Sequence, residues 1–193
     1  MATAILSQAA EFSDAPGFFL RKATMGDIHA VLRLINNYAA DGIMLPRTEF
    51  EMSENIRDFS VAYLGSQLLG CGALHFYSPT SGEVRSLAVE PSLKSKGVGR
   101  RIVEALEREA RDNSLHALFA FTYVPGFFQK LGFQEVERGV LPLKVWKDCV
   151  RCPKFQCCDE IAVLKALRPD PVLTVSSDPE SALIQLPHLK QTR

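Results

Sequence analysis

Apolar residues recur at helical spacing in two stretches of the chain. Ile28, Val31, Leu32 and Ile35 form a stripe that predicts a helix as far as about Ala40. Thr24 and Asp27 precede it at capping-box spacing, and Asp41 with Gly42 ends it. Val98, Ile102, Val103 and Leu106 form the second stripe, with Glu104 and Arg108, and Glu107 and Arg111, as charged pairs four residues apart on the outer side. Runs of strand type are FFLRKA at 18–23, FSVAYL at 59–64, LLGCGALHFY at 68–77, EVRSLAV at 83–89 and ALFAF at 117–121. A short helix before residue 57, another at 127–131, a strand from Phe133 and a last strand at 160–164 complete the expectation. Strand, helices, three strands, helix, strand, helix and strand predict an α/β fold, a mixed sheet with helices on both faces. Residues 1–17 and 168–193, rich in small, polar and proline residues, read as a flexible and a disordered tail around one domain at 18–167.

Charge and composition narrow the function classes. Lysine plus arginine and aspartate plus glutamate both number 22, so net charge is zero and no whole-protein field favours nucleic acid or an anionic membrane. No apolar run reaches the roughly 20 residues a membrane helix needs, and the first residues lack a secretion signal's basic start, so the expected location is the cytoplasm. Four of the five cysteines fall at Cys149, Cys152, Cys157 and Cys158. They contain one C-x-x-C, no second pair at zinc-finger spacing and no nearby histidine, and the adjacent pair makes four-ligand geometry awkward. Reduced cysteines or a redox-sensitive pair are read ahead of a structural zinc, and no metal is assigned to the active site. Cys71 lies within a strand run and is expected in the core.

The most informative stretch is LAVEPSLKSKGVGRRIVEAL at 87–106: an apolar strand end, a proline, a basic loop with two glycines, and the second helix. Gly97 and Gly99 let a ligand approach the backbone, and the first amides of a helix have no partner inside it, so the loop suits a phosphate. Lys94, Lys96, Arg100 and Arg101 add positive charge. It is not a Walker loop, because Arg100 and Arg101 follow Gly99 where lysine and a hydroxyl residue are required. It is not a dinucleotide loop either, because Ile102 occupies the third glycine position.

KSKGVG at 94–99, after LAVEP, resembles the acetyl-CoA pyrophosphate loop of the GNAT superfamily of N-acetyltransferases, with Lys94 in place of the usual glutamine or arginine. FFQKLGF at 127–133 resembles the second signature of that family, with Phe128 where many members carry a tyrosine that protonates the departing thiolate. The resemblance implies a mostly antiparallel central sheet. It also implies an acetyl-CoA site that includes Leu87, Ala88, Val89, Lys94, Ser95, Lys96, Gly97, Val98, Gly99, Arg100 and Phe128. DGIMLPRT at 41–48, LLGCGAL at 68–74 and LPLKVWKDCVRCPKFQCCDEIAV at 141–163 are closest to one branch, the amino-acid acetyltransferases of arginine biosynthesis. That branch implies glutamate as acceptor, and homodimers are common in the superfamily.

The chemistry needs further groups. An α-amine attacks a thioester only when neutral, so a base must take its proton; Glu83, at the head of the strand entering the loop, is the candidate, against an exposed strand-end carboxylate. A backbone amide near 87–89 would meet the oxyanion. Thr122 is preferred to Tyr123 as the thiolate's acid, by resemblance to a hydroxyl residue of the synthase branch. A dicarboxylic acceptor calls for cations: Arg47 first, matching an arginine of that branch, then Lys144 and His75. Two alternatives stay open. One is another acceptor, whether glutamine, a polyamine or a peptide amine; the other is a non-catalytic acyl-CoA sensor, prompted by Phe128 and the cysteines.

Overall fold

The computed structural model describes residues 17–141, 152, 154 and 157–168. The expected tails beyond Gly17 and Arg168, together with Lys144 and Cys149, lie outside the described residues. Strands β1 (Phe19–Lys22), β2 (Phe59–Leu64), β3 (Gln67–Phe76), β4 (Ser81–Val89), β5 (Ala117–Thr122), β6 (Gln134–Glu135) and β7 (Ile161–Ala166) form one sheet in the order β1-β2-β3-β4-β5-β7-β6. Helices are α1 (Ile28–Ala40), α2 (Glu49–Asn55), α3 (Val98–Asp112) and α4 (Pro125–Gln129). Every neighbouring strand pair is antiparallel except β4 with β5, which are joined by a crossover containing α3. The mixed, mostly antiparallel α/β sheet is therefore present. No described helix is long and apolar enough to cross a membrane.

Strand alternation sorts the core onto the two faces. Val61 packs with Cys71, Ala73 and Ala88 beneath Val31, Ile35 and Met52 of α1 and α2, whereas its neighbour Ala62 packs with Leu74 and Val84 beneath Ile102 and Leu106 of α3. The α3 stripe is as expected: Val98, Ile102, Val103, Leu106 and Ala110 are all buried. Burying the valine, isoleucine and leucine side chains stabilises by roughly 1.5–3 kcal/mol each. The helix lies close on β3 because β3 offers backbone there. A Cβ on Gly72 would stand 2.8 Å from Ile102 Cγ2, and one on Gly70 would stand 2.8 Å from the Ala88 carbonyl oxygen.

Boundaries shift by a few residues where local chemistry decides. The fourth helix starts at Pro125, because a proline in the first turn loses no hydrogen bond the helix needs. Thr24 heads a 3-10 turn (Met25–Asp27) ahead of α1, and Asp27 reaches back to accept from the Thr24 backbone N–H at 2.7 Å. Asp27 also takes two hydrogen bonds from Arg21, at 2.7 and 2.8 Å, and one from the Tyr63 hydroxyl at 2.9 Å. The Arg21 bonds dominate the opposing effect of burial and hold the Asp27 carboxyl well below the usual carboxylate range. This network ties the start of α1 to β1 and β2. On α3, Glu104 takes Arg100 as partner at 2.7 Å, and Glu107 is shared between Arg111 and Lys165 of β7.

One irregularity shapes the sheet centre. Between β3 and β4 the register passes from Cys71 opposite Ala88 to Ala73 opposite Arg85, leaving Ser86 and Leu87 against the single Gly72. Ser86 has φ of 52°, the left-handed conformation of a β-bulge. On the other side of β4, pairing with β5 is confined to Ser81–Glu83 against Ala117–Phe119, although β4 runs on to Val89 and β5 to Thr122. Past Glu83 the two central strands have parted, and a wedge opens between them.

Candidate active site

The wedge ends at the basic loop. Ser95 and Gly97 have φ of 65° and 86°, and these two left-handed residues turn the chain from the end of β4 into α3. The first amide of this turn bonded back along the helix is that of Arg101, to the Gly97 carbonyl at 3.0 Å. The amides of Gly97, Val98, Gly99 and Arg100 precede it and form the open end of α3, where backbone N–H groups and the helix dipole both favour an anion. Lys94, Ser95, Lys96, Gly97 and Arg100 are exposed, while Val98 is buried and anchors the turn to the core. A Cβ on Gly99 would meet Val89 Cγ2 at 3.4 Å and the Phe127 ring at 3.5 Å, so strand end, loop and α4 converge at that glycine.

Leu87 and Val89 lean toward α3, and Ala88 faces α1. Phe128 is buried in the α3-side core, edge-on to Phe127 at 5.1 Å and Phe133 at 5.2 Å. Its position is thus a packing position, and Phe127 is the ring that reaches the loop. Tyr38 of α1 donates its hydroxyl to the Val89 carbonyl at 2.6 Å, and the Lys94 ammonium sits 5.0 Å from its ring centroid. Helix α1 is thereby fastened to the loop.

Glu83 is 3% exposed, which removes the reading of an exposed strand-end carboxylate. It lies at the point where β4 and β5 separate, opposite Phe119 in β5 and His75 in β3. Thr122, at the far end of β5, is buried, and its hydroxyl oxygen accepts from the Val124 N–H at 3.0 Å. That bond leaves the hydroxyl proton for another acceptor and polarises it. Tyr123 beside it is more exposed; its phenol accepts from Lys154 at 3.2 Å, and burial pushes its pKa up, so it stays protonated.

Arg47 sits in the segment between α1 and α2 and is held by its backbone. Asn36 of α1 accepts from the Arg47 N–H at 2.9 Å and donates to its carbonyl at 3.0 Å. The following residue, Thr48, caps α2, whose far end carries Asn55 to Arg85 at 3.3 Å. His75 is fixed by Asp58 in the turn after α2, with Nδ1 to Oδ2 at 2.8 Å, and Arg85 lies 3.8 Å from the same carboxylate oxygen. Glu83, Arg85 and His75 therefore share one sheet face beside the wedge, while Arg47 stands just before the cap of the helix that ends on it. A depression of about 430 Å³ among His29, Leu32, Arg33, Asn36 and Asn37 belongs to α1 and contains none of the candidate residues.

Three residues in this arrangement were not anticipated. Arg85 could have been, since two residues from Glu83 along a strand means the same face. Asn36 and Asp58 carry no local signal, because each acts on a partner 11 or 17 residues away. Cys71 is fully buried, as expected, and burial pushes its thiol up to about 12. Cys152, Cys157 and Cys158 are free thiols. Among the described residues no group of three or more His, Cys, Asp or Glu side chains is gathered as a metal site.

Comparison with known proteins shows what the sequence and the fold resemble. Residues 28–133, more than half of the 193, match the profile of the acetyltransferase (GNAT) family. The chain is 41% identical over 148 residues to an uncharacterised N-acetyltransferase of Chlorobaculum tepidum, covering 77% of this chain and 96% of that protein. It is 33% identical over 135 residues to the amino-acid acetyltransferase of Mycobacterium tuberculosis, covering 68% of this chain and 77% of the relative. The N-acetylglutamate synthase of Neisseria gonorrhoeae, solved with coenzyme A and N-acetyl-glutamate, superposes with a TM-score of 0.72 at 27% identity, covering 81% of this chain but 36% of that one.

Proposed function

Because the chain belongs to the acetyltransferase (GNAT) family, we propose that it transfers the acetyl group of acetyl-CoA to the α-amine of an amino acid, L-glutamate preferred, at the entry to arginine biosynthesis. The observation that carries this reading is the similarity to the Mycobacterium amino-acid acetyltransferase over most of that protein's length. The geometry supports it in three ways. The wedge between β4 and β5 exposes strand edges whose N–H and C=O groups need partners, and the amide-bearing pantetheine arm of acetyl-CoA supplies them. The open amides of 97–100 suit its pyrophosphate, with Lys94, Ser95, Lys96 and Arg100 at the rim, Leu87, Val89 and Phe127 forming the walls, and Ala88 and Phe128 packed behind them. Glu83, at the fork of the wedge, is the base for the amine, and Thr122, with its oxygen already accepting a bond, is the acid for the thiolate.

In this scheme the neutral amine attacks the thioester carbon, a backbone amide of 87–89 holds the oxyanion, and the C–S bond breaks as the thiolate takes a proton. Arg47 is the proposed carboxylate partner, since its fork matches a carboxylate and Asn36 fixes its backbone. His75 and Lys144 were the other cation candidates; Asp58 occupies Nδ1 of the former, and the latter lies outside the described residues. An acceptor screen with acetyl-CoA tests the reading. Turnover is expected with glutamate above glutamine, polyamines and peptide amines. Preference for another amine overturns the acceptor, and binding of acetyl-CoA with no transfer to any amine leaves a sensor module instead.

A further inference from the structure

The net reaction releases a proton that has to leave a buried site. The ammonium of the free amino acid carries three N–H protons and the amide product keeps one; of the two released, the thiol takes one and the other goes to solvent in every turnover. In the proposed mechanism that proton reaches Glu83, whose exposure of 3% leaves little direct contact with water. Directly across the sheet, His75 is the register partner of Glu83, and Cβ atoms of such pairs stand about 4.5–5.5 Å apart. The His75 side chain is 22% exposed, and its Nδ1 is bonded to Asp58, itself 29% exposed.

We infer that the Asp58–His75 pair carries this proton from Glu83 to solvent. The inference rests on the reading of Glu83 as the base for the amine. Asp58 holds the Nδ1–H, which leaves the Nε2 lone pair to accept a proton from Glu83, directly or through one water. The imidazolium so formed faces the Asp58 carboxylate, which stabilises it until Nε2–H is released to bulk water and Glu83 is again a carboxylate. No bond other than N–H and O–H changes. The charged and titratable groups around His75 are Asp58 after α2, Glu83 and Arg85 on β4, and Tyr77 just past the end of β3, whose ring meets the imidazole edge-on at 6.0 Å. Arg85 lies 3.8 Å from the same Asp58 oxygen and holds that carboxylate against Nδ1 of His75. Both are positioning groups here; His75 alone passes the proton on.

The test is chemical rescue. With wild-type enzyme and its best amine, His75→Gln should lower kcat by about 10–100-fold, at or below the low end of the effect of losing a general base outright. The acetyl-CoA KM should not change. Imidazole added to the assay should restore kcat in proportion to its concentration, because a mobile base replaces the missing one. Asp58→Asn, which keeps the side-chain shape, should show a smaller loss with the same rescue. A loss that imidazole does not restore in a variant with wild-type circular dichroism overturns the relay, as does a kcat within twofold of wild type. Every amine acceptor releases the same proton, so a wild-type preference for an amine other than glutamate overturns the acceptor assignment while the relay is still tested. A wild-type protein that acetylates no amine overturns both.

Discussion

Replacing Gly72 by alanine tests how the helix that bears the phosphate cradle is seated. The added methyl would stand 2.8 Å from Ile102 Cγ2, 3.2 Å from Leu87 Cδ1 and 3.4 Å from Leu106 Cδ1. The two leucine ends can move aside; Ile102 cannot, since it is fully buried and its branched Cβ has essentially one rotamer in a helix. The helix must therefore lift from β3, or the strand must bend. Overpacking of this kind costs about 1–3 kcal/mol. For a chain of 150–250 residues each kcal/mol is worth about 2–4 °C, so Tm should fall by about 2–12 °C. Because α3 begins at the cradle, acetyl-CoA affinity measured by calorimetry should fall with it. Gly126→Ala is the control: nothing lies within 4 Å of a Cβ there and the residue is helical, so stability should be at or slightly above wild type and affinity should not fall. A Gly72→Ala protein within about 0.5 kcal/mol of wild type in urea, the range of an ordinary surface substitution, would refute the close seating of α3 on β3.

Three further outcomes are expected. Gly99→Glu places bulk and negative charge where Val89 and Phe127 converge on the loop; calorimetry should show acetyl-CoA affinity collapsing while circular dichroism is unchanged. Arg47→Ala should raise the glutamate KM by roughly ten- to a hundredfold, the worth of one charge-assisted hydrogen-bonding group at about 1.5–3 kcal/mol, and leave that of acetyl-CoA alone; Arg47→Lys should recover part of it. Asp27→Asn should cost about 1.5–3 kcal/mol at pH 7 by weakening the bonds from Arg21, Thr24 and Tyr63. The folded-state value of this carboxyl lies below its unfolded value, so its contribution is complete above about pH 4 and is lost as pH falls further. The gap between wild type and variant in urea unfolding should therefore be smaller at pH 3 than at pH 7.

What the sequence determined alone is what depends on near neighbours. The stripes of α1 and α3 are visible because residues three and four apart share a helix face, and FSVAYL marks β2 to the residue because its turn signals are local. The loop at 94–99 is legible for the same reason: glycine spacing, positive charge and a helix start lie within a few residues. Even Glu83 could be singled out as a residue at a strand head, although its burial could not. Burial, like the rest of the site, is set by elements distant in the chain. Gly70 and Gly72 look like weak points of a strand until α3 is laid across them. The bulge at Ser86 needs β3 to measure it against, and the wedge needs β5 to part from β4. Asn36 gains its role only from Arg47, and Asp58 only from His75 and Arg85. Periodicity and turn chemistry act over one or two turns of chain, whereas a site assembled across a sheet exists only once register and packing bring its side chains together.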